Sequence, residues 1–404
     1  MKLAFVVPWY GRDIPGGAEA ETRRTAVHLQ QAGFAVEILT TCLRDLYSDW
    51  GTNYHKPGLT NEDGLPVRRF AVQKRDKAAF DQINQRLMRG TAVTPAEEEI
   101  FHREMFRCPD LYAYLAQHQD EYLYIFIPYM FASTAFGAQI CPAHSLMIPC
   151  LHDEGYARLH IHQQTIPRVR ALLFYAHAER VLADRLFPAE NGQIRTVIGG
   201  GVDTDWQGDG RRFRQKYNLG DTPVVLYAGR REPGKNTPLL LHYWAQYSRQ
   251  TAHPARLVLI GPGQVTIPAE ARDSVLDLGF VPAQDKYDAY AAADVFCMPS
   301  VHESFSIVIM ESWLAGTPVL VHGDCAVTRE HCTQANGGLY FSNYPEFAAT
   351  LDFLLAHRDT AVTLGQQGRR YVMQNFQWEA VIGRYTAVIQ AIVEEEKRTH
   401  YHVS

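Results

Sequence analysis

The strongest constraint on this chain is an alternation that runs through it twice. Short, continuously apolar, β-rich runs alternate with helical patterns, and near residue 222 the alternation starts again. LAFVVP (3–8) opens the first series. A strand apolar at every position must be buried on both faces, as in a parallel sheet, because a half-solvated strand alternates instead. A glycine-bearing loop, GRDIPGGAE (11–19), follows it. AETRRTAVHLQQAG (20–33) then reads as a helix ending at Gly33, and AVEILTT (35–41) as a second buried strand. Strand, loop, helix and strand within about 40 residues make a βαβ unit.

The stretch from 42 to 120 is less regular, with VRRFAV (67–72) as a strand followed by a polar, helical insertion. The α/β pattern resumes with YLYIFIP (122–128), SLMIPCLHDE (145–154), ALLFYA (171–176), RVLA (180–183) and IRTVIGGGVD (194–203). The second series holds PVVLYAGRREPGKN (223–236), RLVLIGPG (256–263), VLDLGFV (275–281), DVFCMPS (294–300) and TPVLVHG (317–323). Helical patterns lie between them, including KYDAYAAA (286–293) and SIVIMESWLAG (306–316). The prediction is α/β, with two doubly wound, Rossmann-like parallel-sheet domains spanning 1–200 and 201–377 and a hinge near 200–222. Residues 378–395 place Val381, Ile382, Tyr385, Val388, Ile389 and Ile392 at helical spacing. Such an amphipathic helix must pack on something, and the expected partner is the N-terminal domain.

Composition narrows the function. The 404 residues suffice for two or three domains, and 46% hydrophobic with 21% charged residues is an ordinary globular mix. A net charge of −5 argues against a general nucleic-acid binder. The seven cysteines (42, 108, 141, 150, 297, 325 and 332) include no Cys-x-x-Cys pair, so neither a disulfide framework nor a zinc ribbon is expected. MKLAFVVPWYG lacks the features of a signal peptide. YLYIFIPYMFASTAF (122–136) contains a proline and falls short of the roughly 20 residues of a membrane helix. The expected location is the cytoplasm. Seven Lys and Arg residues between 68 and 89 (Arg68, Arg69, Lys74, Arg75, Lys77, Arg86, Arg89) read either as a solvated helix face or as a basic patch for peripheral contact with an anionic membrane.

Four motifs carry chemistry. ESFSIVIME (303–311) places Glu303 and Glu311 around a helix predicted to start near Ser306, whose first N–H groups suit a phosphate. At about 1.5 Å per helical residue the two acids lie about 12 Å apart, beyond the roughly 5–9.5 Å of glycosidase carboxylate pairs. They are therefore either solvated acids or grips on different parts of one long ligand. AGRREPGKN (228–236) clusters Arg230, Arg231 and Lys235 at a strand's end, fit for a diphosphate or for a plain basic turn. IPGGAE (14–19) lets backbone at Gly16 and Gly17 approach a ligand beside a helix start. It is not Gly-x-Gly-x-x-Gly, and Thr40 and Thr41 stand where a dinucleotide site needs an acid. LHDE (151–154) sets His152 just after an apolar run, as a ligand group or a structural histidine. His160 and His162 form no metal-ligand pattern. TTCLRDLYSDWGTNY (40–54) has the aromatic and polar mix of a carbohydrate-facing loop.

Taken in order, GGAE (16–19), His152, GGVD (200–203), AGR with Lys235, ADVFCMPS (293–300), Glu-x7-Glu, AGTPVLV (315–321) and FQW (376–378) resemble the GT-B-fold retaining glycosyltransferases of family 4, the glycosyl transferases group 1 type. The resemblance covers nearly the whole chain. It implies two Rossmann-like domains facing across a cleft, the first on the acceptor side and the second binding a nucleotide sugar. Arg230 and Lys235 would hold the donor diphosphate, Glu311 the ribose hydroxyls, and Glu303 would lie beside the transferred sugar. Backbone at Phe305, Ser306 and Ile307 would contact sugar and phosphate. His152 would face the donor sugar, Gly16 and Gly17 would lie near phosphate and acceptor, and Val281 would flank the base. The implied activity is transfer of a hexose-type sugar to a glycan or lipid-linked acceptor, as in polysaccharide or glycolipid biosynthesis, with no metal or other cofactor. Ser304 and Ser306 stand where the family often has glycine, and HGDCAV (322–327) replaces a phosphate-side glycine pair, so sugar identity does not transfer. The rival readings are a nucleotide-sugar epimerase or hydrolase on the same fold and a non-catalytic nucleotide-sugar-binding subunit.

Overall fold

The computed structural model describes residues 2–403 apart from 13, 15, 191, 252 and 253, with side chains up to residue 398. Positions 13 and 15 of the predicted GRDIPGGAE loop therefore lie outside the described residues. The chain forms two compact units, Met1–Gly201 with Val381–Ser404, and Val202–Ala380.

The first unit is built on an eight-stranded sheet in the order β3-β4-β2-β1-β5-β6-β7-β8. Its strands are β1 (Lys2–Val7), β2 (Val36–Thr41), β3 (Gly58–Glu62), β4 (Leu65–Phe70), β5 (Tyr122–Phe126), β6 (Ser145–Met147), β7 (Ala171–Phe174) and β8 (Ile194–Val197). Phe5 of β1 sits opposite Ile38 of β2 and Ile125 of β5, both pairings parallel. Leu3 through Val7 are buried, which is why β1 is apolar without alternation. Among the described residues only β3 runs antiparallel, beside β4 at the sheet's edge. Within the resumed α/β pattern, RVLA (180–183) is part of the helix His177–Leu186. Four apolar-leaning residues do not distinguish strand from helix, and the flanking HAE and DRL continue a helix rather than ending a strand.

The second unit carries six parallel strands in the order β11-β10-β9-β12-β13-β14: β9 (Val224–Ala228), β10 (Arg256–Ile260), β11 (Val275–Gly279), β12 (Val295–Met298), β13 (Val319–His322) and β14 (Gly338–Phe341). Leu226 of β9 pairs with Val258 of β10 and Phe296 of β12. Strands therefore add outward from β9 to β11, and the chain then returns to β9's other side. In such sheets the crevice outside the strands' carboxyl ends, where the order reverses, is open to ligands. Here that point is the gap between the ends of β9 and β12, and the first sheet has an equivalent between β1 and β5.

The terminal helix Trp378–Val403 enters the first unit at Val381. Val381, Tyr385, Ile389 and Ile392 are buried, and Arg384 Nε donates to the Ile198 carbonyl at 2.6 Å. The irregular region holds the helices Lys77–Met88, Pro95–Met105 and Pro109–Gln117. The basic run from 68 to 89 is mostly tied into this region. Arg68 pairs with Glu37, Arg69 with Glu62, Arg75 with Asp49, Lys77 with Asp81 and Arg86 with Glu97. The side chains of Arg69 and Arg75 are 4% and 5% exposed, and Lys74 and Arg89 are exposed. Among the described residues no helix is long and apolar enough to cross a membrane.

Candidate functional site

β9 is buried throughout and ends at Ala228, just before Gly229. The chain there runs against the loop leaving β10, with Gly229 N–H donating to the Ile260 carbonyl (3.0 Å) and Arg231 N–H to Pro262 (2.8 Å). Gly261 makes this approach possible. Its φ is +125°, and a Cβ would fall 2.0 Å from the Gly229 carbonyl oxygen. The two arginines then part. Arg231 turns inward, donating from Nε to the Gly261 carbonyl at 2.9 Å and pairing with Asp277. Arg230 stays outward, with its side chain 32% exposed and 3.2 Å from Glu232.

The next turn, Pro233–Lys235, ends at Asn236 in the left-handed region (φ 56°). Asn236 Nδ2 donates to the Pro299 carbonyl at 3.0 Å, which ties the loop after β9 to the loop after β12. Thr237 Oγ1 donates to the Glu232 carbonyl at 3.0 Å as the helix Thr237–Gln250 begins. This framework brings Lys235 Nζ to 2.6 Å from Glu303 Oε1. The two side chains are 22% and 9% exposed, so the pair forms where water screens it less than at a surface. Lys235 and Glu303, distant in sequence, meet at the end of the sheet where strand order reverses.

Ser306 follows at φ 65° and ψ 68° and caps the helix Ile307–Leu314. A left-handed serine is uncommon, and this one is buried, with no hydrogen-bond partner for Oγ among the described residues. The first N–H groups of the helix lack intrahelical acceptors and carry the positive end of its dipole. Phe305 is fixed by edge-on contact with His331 at 5.5 Å and Phe376 at 5.1 Å. Burial pushes the His331 imidazole down to about 3, so this ring is neutral at physiological pH.

Glu311 lies further along the same helix, with its side chain 8% exposed. Lys286 Nζ bonds Oε1 at 2.6 Å, and the buried Tyr290 hydroxyl donates to Oε2 at 2.9 Å. Burial, with the Glu311 charge beside it, raises the Tyr290 phenol well above its ordinary value. Neither Lys286 nor Tyr290 figured among the predicted site residues. Their i, i+4 spacing puts both on one helix face, and that was the available signal. Val281 is half-buried just beyond β11, next to Phe280, which is 80% exposed.

The remaining predicted residues belong to the first unit. Gly16 caps the helix Gly17–Gln31. Trp9 Nε1 donates to Glu19 Oε1 at 2.9 Å, which binds the end of β1 to that helix's first turn. His152, beyond β6, has Nδ1 3.8 Å from Glu154 Oε1. The amide of the preceding residue, Leu151, donates to Glu179 at 2.7 Å, and that of Tyr175 to the other oxygen at 2.9 Å. Burial lifts the Glu179 carboxyl to about 7, against the pull of these amides and of His152. The helix His177–Leu186 thus fixes the backbone beside His152 through a residue not anticipated from sequence. Among the described residues no three His, Cys, Asp or Glu side chains are grouped to hold a metal ion.

Two Rossmann-like units in one chain are the GT-B fold, and this chain shares that fold with solved structures of the class. The family model for glycosyl transferases group 1 matches residues 209–371. Over those residues, all within the second unit, the chain is similar to that family of transferases. It is 24% identical to a D-inositol 3-phosphate glycosyltransferase from Nocardia farcinica, over 93% of this chain and 85% of that one. It is 26% identical to the putative glycosyltransferase YtcC of Bacillus subtilis over 52% of this chain, and there spans only 58% of the relative's length. Among solved structures, Anabaena HepE in complex with UDP-glucose superposes with a TM-score of 0.67 at 17% identity, covering 97% of this chain and 100% of that one.

Proposed function

We propose that the chain is a retaining glycosyltransferase that moves a hexose-type sugar from a nucleoside-diphosphate sugar to a hydroxyl of a glycan or lipid-linked acceptor. The observation that carries this reading is the Lys235–Glu303 pair, held at 2.6 Å beside the open N-terminus of Ile307–Leu314. Breaking a glycosyl–phosphate bond sends negative charge onto the diphosphate and positive charge onto the sugar carbon. Fixed cations at the first and a fixed carboxylate beside the second stabilise the transition state more than the ground state. Arg230 and Lys235 take the growing phosphate charge, with the amides of Phe305, Ser306 and Ile307 toward phosphate and sugar. Glu303 stands beside the reacting carbon. Glu311 accepts from the ribose, and Val281 flanks the base. His152, Gly16 and Gly17 keep the sugar and acceptor roles that the resemblance gives them. The acceptor hydroxyl attacks the face that the diphosphate leaves, and the departing phosphate oxygen takes its proton. The names of the relatives support glycosyl transfer, and the UDP-glucose complex of HepE supports a nucleotide-sugar donor; the proposed reaction takes no metal or other cofactor. The cytoplasm is the proposed location, with peripheral contact at a membrane's inner face as a subsidiary reading. Most of the 68–89 cations are paired, so liposome flotation through this segment is expected to depend weakly on anionic lipid.

The test is a thermal-shift panel of UDP-, GDP-, ADP- and dTDP-sugars, followed by turnover of the stabilising donor. One nucleotide class should stabilise the wild type and neither Arg230→Ala nor Glu311→Ala. Lys235→Ala should lower turnover by about 10²–10³-fold, the range for losing one transition-state donor. Retention is read from the anomeric configuration of the product. Absence of any shift, or a rearranged free sugar formed without acceptor, would overturn the transferase reading.

A further inference from the structure

We propose that Lys286 is a positioning residue for the donor's ribose, holding the Glu311 carboxylate so that it accepts both hydroxyls of a cis-diol. The proposal rests on the donor-site reading above and adds a residue that the family resemblance did not supply. Glu311 is engaged at both oxygens, Oε1 by Lys286 at 2.6 Å and Oε2 by Tyr290 at 2.9 Å. Two bonds on two different oxygens fix the plane of the carboxylate as well as its place. An ionised carboxylate has about four lone-pair sites, so two remain for the two O–H groups of a diol. A carboxylate this buried also needs a nearby cation to offset its desolvation.

Lys286 is itself held in place. Its ammonium lies 4.9 Å from the centre of the Tyr287 ring. That ring stacks on Trp206 with centroids 4.3 Å apart and planes 10° from parallel. Trp206 is fixed in turn by Nε1 donating to the Asp203 carbonyl at 3.0 Å. The segment carrying Trp206 packs closely on the helix Ala283–Ala292, because a Cβ at Gly208 would fall 2.2 Å from the Tyr287 carbonyl oxygen and one at Gly210 would fall 2.4 Å from that of Ala291. The start of the second unit therefore braces the helix that sets the ammonium, and the ammonium orients the acid.

The test compares binding of UDP and GDP with binding of their 2′,3′-dideoxy counterparts by calorimetry. In the wild type the better-bound nucleotide should lose about tenfold or more in affinity without its diol, the scale of a hydrogen bond to a charged group. Lys286→Met keeps the stem against Tyr287 and removes the charge. It should bind both forms within about threefold of each other, with its affinity for the dideoxy form near the wild-type value. Glu311→Gln should behave the same way, and Lys286→Arg should recover part of the discrimination. Tyr290→Phe, which removes only the second bond, should give an intermediate loss and supplies the comparison if Lys286→Met folds poorly. Full discrimination in a folded Lys286→Met protein would overturn the proposal while leaving the donor site standing. An equal loss of affinity for both forms would also overturn it, because Lys286 would then act on the phosphates. Failure of the wild type to bind either nucleotide would overturn the donor reading and this proposal with it.

Discussion

Arg230 and Arg231 are neighbours with opposite structural duties, and the difference lies in where each guanidinium finds its acceptors. Arg231 bonds the Gly261 carbonyl and Asp277 and is almost enclosed, whereas Arg230 is about one-third exposed. Arg231→Ala strands a partly buried carboxylate and an unpaired carbonyl. It should cost about 2–4 kcal/mol in denaturant unfolding, somewhat less than a fully buried pair because Asp277 keeps some water. Arg230→Ala should change stability by less than about 1 kcal/mol and lower donor turnover by roughly 10²-fold. The reverse pattern would exchange their roles. Ser306 permits a third comparison. Its positive φ is unfavourable for a residue with a Cβ, and its buried Oγ has no acceptor among the described residues. Ser306→Gly is therefore expected to stabilise the ligand-free protein by about 1 kcal/mol. A loss of stability would show that the hydroxyl makes a structural bond.

At the scale of elements, legibility followed burial. β1 and β9 are buried on both faces, and their unbroken apolar runs were readable as parallel strands. β3 was not read, because an edge strand of sequence GLTNE, exposed along most of its length, carries no hydrophobic period. A signal was nevertheless present. Asp63 and Gly64 both have positive φ, as an Asp-Gly hairpin turn requires, and they join β3 to β4. The loop after β9 and the Glu-x7-Glu segment were legible because their residue types are unusual at strand ends and helix starts. Lys286, Tyr290 and Glu179 were not, since each acts through a partner that only the folded chain brings near. The terminal helix is the clearest amphipathic case, and its buried face gives a direct prediction. Ile392 is fully buried in the first unit, so Ile392→Ala should cost about 2–4 kcal/mol, the transfer of the lost carbons plus a cavity. Exposed Glu394→Ala, on the same helix, should fall within about 0.5 kcal/mol of wild type. Equal small effects in urea unfolding would mean that this helix does not contribute to the first unit's core.

For the molecule as a whole, the buried imidazoles set how stability responds to acid. In the first unit, burial lowers His102 to about 4 and puts His162 well below its ordinary value, their rings 5.3 Å apart. In the second unit, His331 is lowered to about 3. A histidine with a depressed folded pKa binds its proton more readily when unfolded. Its stabilising contribution is complete above about pH 6.5 and is lost as pH falls from there toward the folded value. Between pH 7.5 and 5 that amounts to about 2 kcal/mol each for His102 and His331. Glu179 acts in the opposite direction. Its folded value of about 7 exceeds the unfolded one, so protonation on acidification favours the native state by about 2 kcal/mol over the same interval. His102 and Glu179 therefore nearly cancel, and His162 tips the first unit toward acid lability, while His331 adds its own loss in the second unit. Below about pH 5 carboxylates held ionised add to the loss. Glu104 is one, kept down to about 2 against burial by the Asp76 amide and by Arg107 and Arg103. The melting temperature should consequently fall from pH 7.5 to 5. His331→Gln, which keeps a polar partner for Tyr371 and removes the titration, should flatten that fall. A melting temperature indifferent to pH, or an unchanged slope in His331→Gln, would mean that these rings are hydrated and titrate normally in the native protein.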